Sequence, residues 1–454
     1  MSRIGRSSRN IAVARLAAGR LADETTNRLR RRFSSDERGR QLKLDLERRH
    51  AHEVVALLGQ MKGALMKLGQ MASYIDDGMP EHVRAALSQL QQDAPPMDPS
   101  LAVDEIEREL GRPLGRVFSD FDEVPLAAAS IGQVHAATTR DGERVVVKVQ
   151  YPGIAEAIGA DLANTELLGS LFGALFPGLE PGPLVAELRA RLLEELDYLS
   201  EARNQQLFAD FYRGHPYIDI PAVRHDLTTI RVLVTERAEG ARFAEIESWS
   251  QDERNRAGET IFRFVFRSLY RLRAFNGDPH PGNYLFRPGG HVTFLDFGLV
   301  RRFSPDETAL FQGLITAMLA DDAPAFRAAL ERARLLQPGA PFSDEEIHGW
   351  FEHFYEIVRR PDVTTLTPEY ASSIVRHTFD ARANEILKYA NVPPSFVLTQ
   401  RINLGLLALL ARLGARANYR RIAEELWPWR DAAPSTPMGH AEADWWQTAR
   451  AEPA

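Results

Sequence analysis

The chain has 454 residues, 44% of them hydrophobic and 26% charged, and a net charge of −7 at pH 7. That is the composition of a globular protein able to hold two or three domains, or one large two-lobed domain with extensions. It contains no cysteine, which excludes disulfides and thiolate-held zinc or iron–sulfur centres and fits a reducing cytoplasm.

The first fifty residues carry fourteen Lys/Arg against six Asp/Glu. This basic, Arg-rich arm, residues 1–40, reads either as a solvated segment or, over Asn10–Arg32, as an amphipathic stretch that approaches anionic lipid or nucleic acid. No nucleic-acid-binding motif accompanies it. No apolar segment follows it, so no secretory leader is expected. Eighteen consecutive apolar residues occur nowhere, so no membrane span is expected either. Residues 167–179 come nearest, but they are short and interrupted by Gly and Pro. They read as a buried helix and loop, with a membrane-touching patch as the alternative.

Residues 41–112 form a helical extension. Val54, Leu57, Leu58, Met61, Leu65, Leu68 and Met71 recur at helical spacing over 41–74. Gly78-Met79-Pro80 ends that helix, a second covers 81–92, and a third covers 101–110. The period then changes to two. Residues 126–137 and 144–150 flank Asp141-Gly142, a strong hairpin signal. In the second strand Val145, Val147 and Val149 share one face, and Val146, Lys148 and Gln150 the other. A lysine in a valine-rich strand is costly to bury without an anion. Lys148 is therefore read as a phosphate ligand, the alternative being an edge lysine that reaches water.

A helix follows over 184–211, then a strand over 230–236. Ala238-Glu239-Gly240 is a hinge, so 113–238 and 239–428 are two lobes. From Asp252 the chain turns helical. Residues 261–274 put Phe262, Phe266, Leu269 and Tyr270 on one side and Arg263, Arg267 and Arg271 on another. After the central loop come further helices, including 343–358 and 399–413. The segment 429–454, rich in Pro, Gly, Ala and Ser, is expected to be loose.

The central loop is FNGDPHPGNYLFRPGGHVTFLDFGLV, residues 275–300. Two short strands, 284–287 and 291–295, flank Pro288-Gly289-Gly290, so a hairpin should set Asn283 beside Asp296, with Asp278 one loop away. Hard oxygen donors in that arrangement suit Mg²⁺. An Asp five residues before an Asn, followed by Asp-Phe-Gly, is the spacing of protein-kinase-like phosphotransferases. His280, between two prolines, reads as a structural hydrogen-bonder and is left out of the ligand set.

Together these pieces resemble the UbiB/AarF-domain atypical kinases over about residues 50–415. Lys67-Leu68-Gly69-Gln70 looks like the KxGQ motif, 127–135 (AAASIGQVH) like the Ala-rich nucleotide loop, and Glu195-Leu196-Asp197 like the ExD motif. The resemblance implies an α+β, two-lobed protein-kinase-like fold: a small β-rich N-lobe, a helical C-lobe and an N-terminal helical extension packed over the cleft. It implies ATP and Mg²⁺ as cofactors. Ala127, Ala128, Ala129, Ser130, Lys148, Glu236 and Ala238 form the nucleotide set, and Asn283 and Asp296 the metal set. Asp278 would orient the attacking hydroxyl or water. Glu201 would orient Lys148. Lys67, Gln70, Glu195 and Asp197 would gate the substrate, with an exposed lysine as the alternative reading of Lys67. Alanine in place of glycine stiffens the nucleotide loop, which the resemblance links to altered nucleotide selectivity. One position departs from the family: Asn276-Gly277 stands where it often has His-Ala.

The leading expectation is an ATPase or atypical kinase acting in isoprenoid-quinone or other lipid metabolism, with peripheral contact to anionic membrane. Two alternatives stand beside it. One is a small-molecule phosphotransferase of the aminoglycoside/choline kinase type; the other is a nucleotide-gated scaffold.

Overall fold

A computed structural model describes residues 98–129, 131–162, 193–379, 385–390 and 394–451. They fall into two compact units. The first runs to Arg140 and resumes at Val147–Asp197; the second takes Asp141–Val146 and continues from Tyr198. The expected helices at 41–74 and 81–92 lie outside the described residues.

The first unit begins with α1 (Pro99–Leu110). The Asp98 side chain accepts from the Ser100 N–H at its start, and Gly111 ends it in the left-handed conformation. Strands β1 (Phe118–Phe121), β2 (Ala127–Ala128), β3 (Gly132–Thr139) and β4 (Arg144–Gln150) follow. β1 and β2 both pair antiparallel with β3, with Phe121 opposite Ala137 and Ala128 opposite Gln133. The period-two reading of β4 holds. Val145, Val147 and Val149 are buried, and Val146 and Lys148 are half-buried on the opposite face. Gln150 shares that face but is buried, and its Nε2 donates to the Leu196 carbonyl at 2.9 Å. Gly132 packs directly on β4: a Cβ there would sit 2.1 Å from the Val149 carbonyl oxygen. Helix α2 (Ile154–Leu162) follows.

One expectation needs correction here. Residues 184–211 do not form one continuous helix. A helical turn ends at Glu195, Leu196-Asp197 interrupts it, and α3 (Tyr198–Phe211) starts anew. The Asp197 N–H bonds back to Glu194, while the Tyr198 N–H turns away to the Ile230 carbonyl. Backbone donors lost to a neighbouring segment cannot propagate a helix.

In the second unit β5 (Ile218–Asp219) and β6 (Val232–Glu236) precede α4 (Gln251–Arg267), which Ser250 caps by accepting from Glu253. The helix expected over 261–274 stops sooner. A π-helical turn, Ser268–Leu272, leads to Arg273 at φ 55, and β7 (Ala274–Asn276) leaves it. β8 (Tyr284–Arg287) and β9 (His291–Phe294) form the expected hairpin, with Gly289 and Gly290 at positive φ in its turn. β10 (Val300–Arg302) pairs back onto β7. That long-range ladder, invisible to local periodicity, is what ends the helix.

The core beneath these strands is aromatic. Phe264 stacks on Phe294, and Phe208 packs against both Phe264 and Phe297. Helices α5 (Pro305–Leu319), α6 (Ala323–Arg332), α7 (Asp344–Arg359), α8 (Pro368–Phe379), α9 (Pro394–Arg412) and α10 (Tyr419–Leu426) complete the unit. Ser304 and Ser343 start α5 and α7 with capping boxes to Glu307 and Glu346.

The segment expected to be loose is helical over Pro437–Ala451, α11. Its Glu442 is 0% exposed and meets Arg263 Nη1 at 2.7 Å, Arg267 Nε at 2.6 Å and His215 Nε2 at 3.1 Å. Arg263 also reaches Glu259 and Glu425. The arginine face of α4 is thus a buried ionic seam. Trp445 closes it, with its ring on His215 and its Nε1 donating to the Arg213 carbonyl.

Candidate active site around Asp296

The β8–β9 hairpin delivers two of the expected metal residues to adjacent places. Tyr284 pairs with Phe294, and one step further the Leu295 N–H donates to the Asn283 carbonyl at 3.0 Å. Asp296 is the next residue. Before the hairpin, a 3₁₀ turn (Pro281–Asn283) folds the chain back. The Asn283 N–H donates to the His280 carbonyl at 2.9 Å, and its side-chain Nδ2 donates to the Asp278 carbonyl at 3.1 Å. One Asn283 amide hydrogen is thereby committed to the loop backbone, and the side-chain oxygen is the group that could accept a cation. His280 Nδ1 accepts from the Gly282 N–H at 3.0 Å, a bond internal to the loop.

Glu201 on α3 lies beside Asp296. A Cβ built on Gly298 would lie 3.3 Å from Asp296 Oδ1 and 3.5 Å from Glu201 Oε2. Both carboxylates therefore border Gly298. One turn further along α3, Asn204 Nδ2 donates to the Phe297 carbonyl at 3.2 Å. The Asp296 carboxylate itself accepts from the Gly298 N–H at 2.9 Å.

Tyr284 is buried at the start of β8. Burial, then the charges of Asp278 and Asp296, hold its phenol well above the usual range. Two anions thus bear on one buried hydroxyl. Carboxylate oxygens and the Asn283 carboxamide are hard donors of the kind that suit Mg²⁺, and a dication would offset the negative charge there. Among the described residues no three His, Asp or Glu side chains cluster as a metal site. Asn283 and Asp296 would offer a cation one carboxamide and one carboxylate oxygen, the remaining positions falling to phosphate oxygens and water.

The other expected residues are distributed as follows. Lys148, Ala127, Ala128, Ala129, Glu195 and Asp197 belong to the first unit. Ala127 and Ala128 are exposed on β2, and the Ala129 N–H donates to the Gly132 carbonyl. Glu195 and Asp197 are half-buried at the break before α3. Glu236 and Ala238 lie in the second unit, where Ala241 exchanges two backbone bonds with Phe286 and ties the expected hinge to β8. Ser130, Lys67 and Gln70 lie outside the described residues.

Sequence reasoning missed three contributors. Tyr284 gave no signal beyond following Asn283. Gly405 on α9 touches the 278–283 loop: a Cβ there would stand 2.4 Å from Pro279 Cγ. Asn276 was read as a departure, yet its Nδ2 donates to the Asp296 carbonyl at 2.7 Å and its Oδ1 accepts from the Asp278 N–H at 3.3 Å.

Comparison with known proteins places the chain in a family. The model of the ABC1 atypical kinase-like domain matches residues 89–329. The mitochondrial atypical kinase COQ8 of Saccharomyces cerevisiae is 34% identical over 275 residues, 60% of this chain and 55% of that protein. Mitochondrial atypical kinase COQ8B of Rattus norvegicus is 35% identical over 261 residues, 57% of this chain and 49% of that protein. The chain thus spans about half the length of the curated relatives it matches. Among solved structures, the complex of Rv3197 with erythromycin from Mycobacterium tuberculosis aligns with a TM-score of 0.62 at 30% identity. It covers 86% of this chain and 98% of that one. The fold is the two-lobed, kinase-like α+β class, and the chain belongs to the ABC1 atypical kinase-like family, the UbiB/COQ8/AarF group.

Proposed function

We propose that this chain binds Mg-ATP and either hydrolyses it or transfers its γ-phosphate, in a role linked to isoprenoid-quinone or other lipid metabolism. The observation that carries the reading is the placement of Asp278, Asn283 and Asp296 by one loop and one hairpin: Asn283 Nδ2 donates to the Asp278 carbonyl, and the Asn283 carbonyl accepts from the N–H of Leu295, the residue before Asp296. Phosphoryl transfer asks of a protein mainly positioning and charge neutralisation. When bound, Mg²⁺ would neutralise phosphate oxygens and leave the transferred phosphorus open to attack. Asn283 and Asp296 would supply oxygen ligands, and Asp278 would orient the attacking hydroxyl or water. Lys148, half-buried on β4, would place one positive charge against the nucleotide phosphates. The kinship with two COQ8-type proteins supports the quinone-lipid link. No described helix is long and apolar enough to cross a membrane, and a peripheral approach to anionic lipid is the mode proposed.

A second reading is a phosphotransferase acting on a small soluble molecule. It is favoured by the relative from Mycobacterium tuberculosis, whose structure is a complex with erythromycin.

One experiment separates these readings. Phosphate release from Mg-ATP is followed with and without anionic liposomes, with and without soluble alcohol or amine acceptors, beside Asp296→Asn. Release that lipid increases and Asp296→Asn abolishes is the expected result. Acceptor-dependent consumption of ATP would favour the second reading. Nucleotide binding without turnover under every condition would overturn both in favour of a nucleotide-gated scaffold.

A further inference from the structure

We infer that Asn276 is a positioning residue that fixes the catalytic-loop Asp278 and the metal-loop Asp296 relative to one another. The inference rests on the reading of the site given above. Asp278 and Asp296 are eighteen residues apart in sequence and sit on separate loops, so their relative placement needs a tie. Asn276 ends β7, directly opposite Val300 of β10 in the ladder that joins the two loops. Its carboxamide is half-buried and uses both of its ends. Nδ2 donates to the Asp296 carbonyl at 2.7 Å, and Oδ1 accepts from the Asp278 N–H at 3.3 Å. One planar group of fixed width therefore spans the two backbones. The chain tightens the same junction at the next residue. The Gly277 N–H donates to the Leu299 carbonyl at 2.7 Å, and a Cβ at Gly277 would stand 2.7 Å from Leu299 Cγ. Glycine at 277 thus lets the loop approach closely enough for the carboxamide to reach both partners.

The chemistry limits what can replace it. The bridge needs a donor toward Asp296 and an acceptor toward Asp278 on one short side chain, and a primary amide has both permanently. Aspartate is isosteric and keeps the acceptor, but it turns the donor into an anion facing the Asp296 carbonyl. Alanine removes both bonds and adds no repulsion. If Asn276 acted through packing alone, the isosteric aspartate would be the milder change. If it positions Asp296, aspartate is the worse one, and the damage falls on Mg²⁺.

The test is nucleotide binding, followed with a fluorescent ATP analogue as Mg²⁺ is titrated, in wild type, Asn276→Asp, Asn276→Ala and Asp296→Asn. Thermal melting is recorded for each. Expected is a rise of about tenfold in the Mg²⁺ concentration for half-saturation in Asn276→Asp, equivalent to about 1.4 kcal/mol. Asn276→Ala should show a smaller rise, and Mg²⁺-free nucleotide binding should stay within twofold of wild type in both Asn276 variants. Equal Mg²⁺ requirement in wild type and Asn276→Asp, or a requirement in both variants that simply follows the loss in melting temperature, overturns the positioning role. Should Asn276→Ala fail to fold, the comparison of Asn276→Asp with wild type decides alone. Wild-type nucleotide binding that ignores both Mg²⁺ and Asp296→Asn would overturn the reading of the site, and the inference with it.

Discussion

Glu442→Gln is expected to destabilise the protein strongly while leaving nucleotide binding in any surviving folded protein unchanged. The carboxylate is fully buried and shared by three donors: Arg263 at 2.7 Å, Arg267 at 2.6 Å and His215 at 3.1 Å. Burial alone would raise its pKa, but the charge of Arg267, the His215 bond and the charge of Arg263 outweigh it and hold the group well below the carboxylate range. Removing one partner from a buried pair costs about 3–5 kcal/mol, because the other charge stays buried. Glutamine keeps one acceptor oxygen but turns amide hydrogens toward a donor, so about 3 kcal/mol is the expected loss. At about 2–4 °C per kcal/mol for a unit of this size, melting should fall by about 6–12 °C. Urea and thermal unfolding at pH 7.5 measure it, and a loss below about 1 kcal/mol would refute the assignment of a mutually dependent ionic seam. The same seam sets an acid limit. His215 Nδ1 accepts from the N–H groups of Tyr217 and Ile218, so its proton sits on Nε2 toward Glu442. Burial, partly opposed by the Glu442 bond, pushes its pKa down. Both groups are depressed in the folded state, so the unfolded chain binds more protons as pH falls. Stability is fully present above about pH 6.5. It declines below that as the unfolded histidine protonates, and further below about pH 4.3 as the unfolded Glu442 does.

Further outcomes follow from the loop contacts. In Gly405→Ala the new methyl would press on the rigid Pro279 ring. Turnover should fall about tenfold with nucleotide affinity within twofold, because the displaced residue adjoins Asp278. Equal loss in both parameters would show that α9 supports the fold rather than the loop. Arg273→Gly should raise stability by up to about 1 kcal/mol. The exposed arginine sits at φ 55, a conformation costing about 1–2 kcal/mol, part of which the extra freedom of unfolded glycine cancels. A lower melting temperature would mean that the Arg273 side chain itself contributes.

Much of the site was legible because it is local. Asp141-Gly142 and Pro288-Gly289-Gly290 announced two hairpins, and the second one dictates that Asn283 and Asp296 meet. The missed features are all non-local. Helical periodicity runs straight through Leu196-Asp197, and the break there depends on the Ile230 carbonyl claiming the Tyr198 N–H. Helix α4 ends early because β7 pairs with β10. The stretch over Pro437–Ala451 read as loose because its anchors are the buried Glu442 and Trp445, and a charge with a distant partner looks in sequence like a solvated one. Asn276 was visible as an oddity, but a carboxamide reveals its job only when both of its partners are known.

The ionic seam also has a consequence in time. Arg263 and Arg267 are separated from Glu442 by 179 and 175 residues. At ribosomal rates of about 5–20 residues per second, their shared counter-ion is made about 10–35 s after they are. Throughout that interval the helix leading into the loop that bears Asp278 carries two cations that the finished fold buries. The hairpin bearing Asn283 and Asp296 can close early, since its partners are adjacent, but α4 cannot settle into its final surroundings until α11 arrives. A chain halted before residue 442 would hold every residue of the candidate site and still lack the charge that lets its main supporting helix be buried.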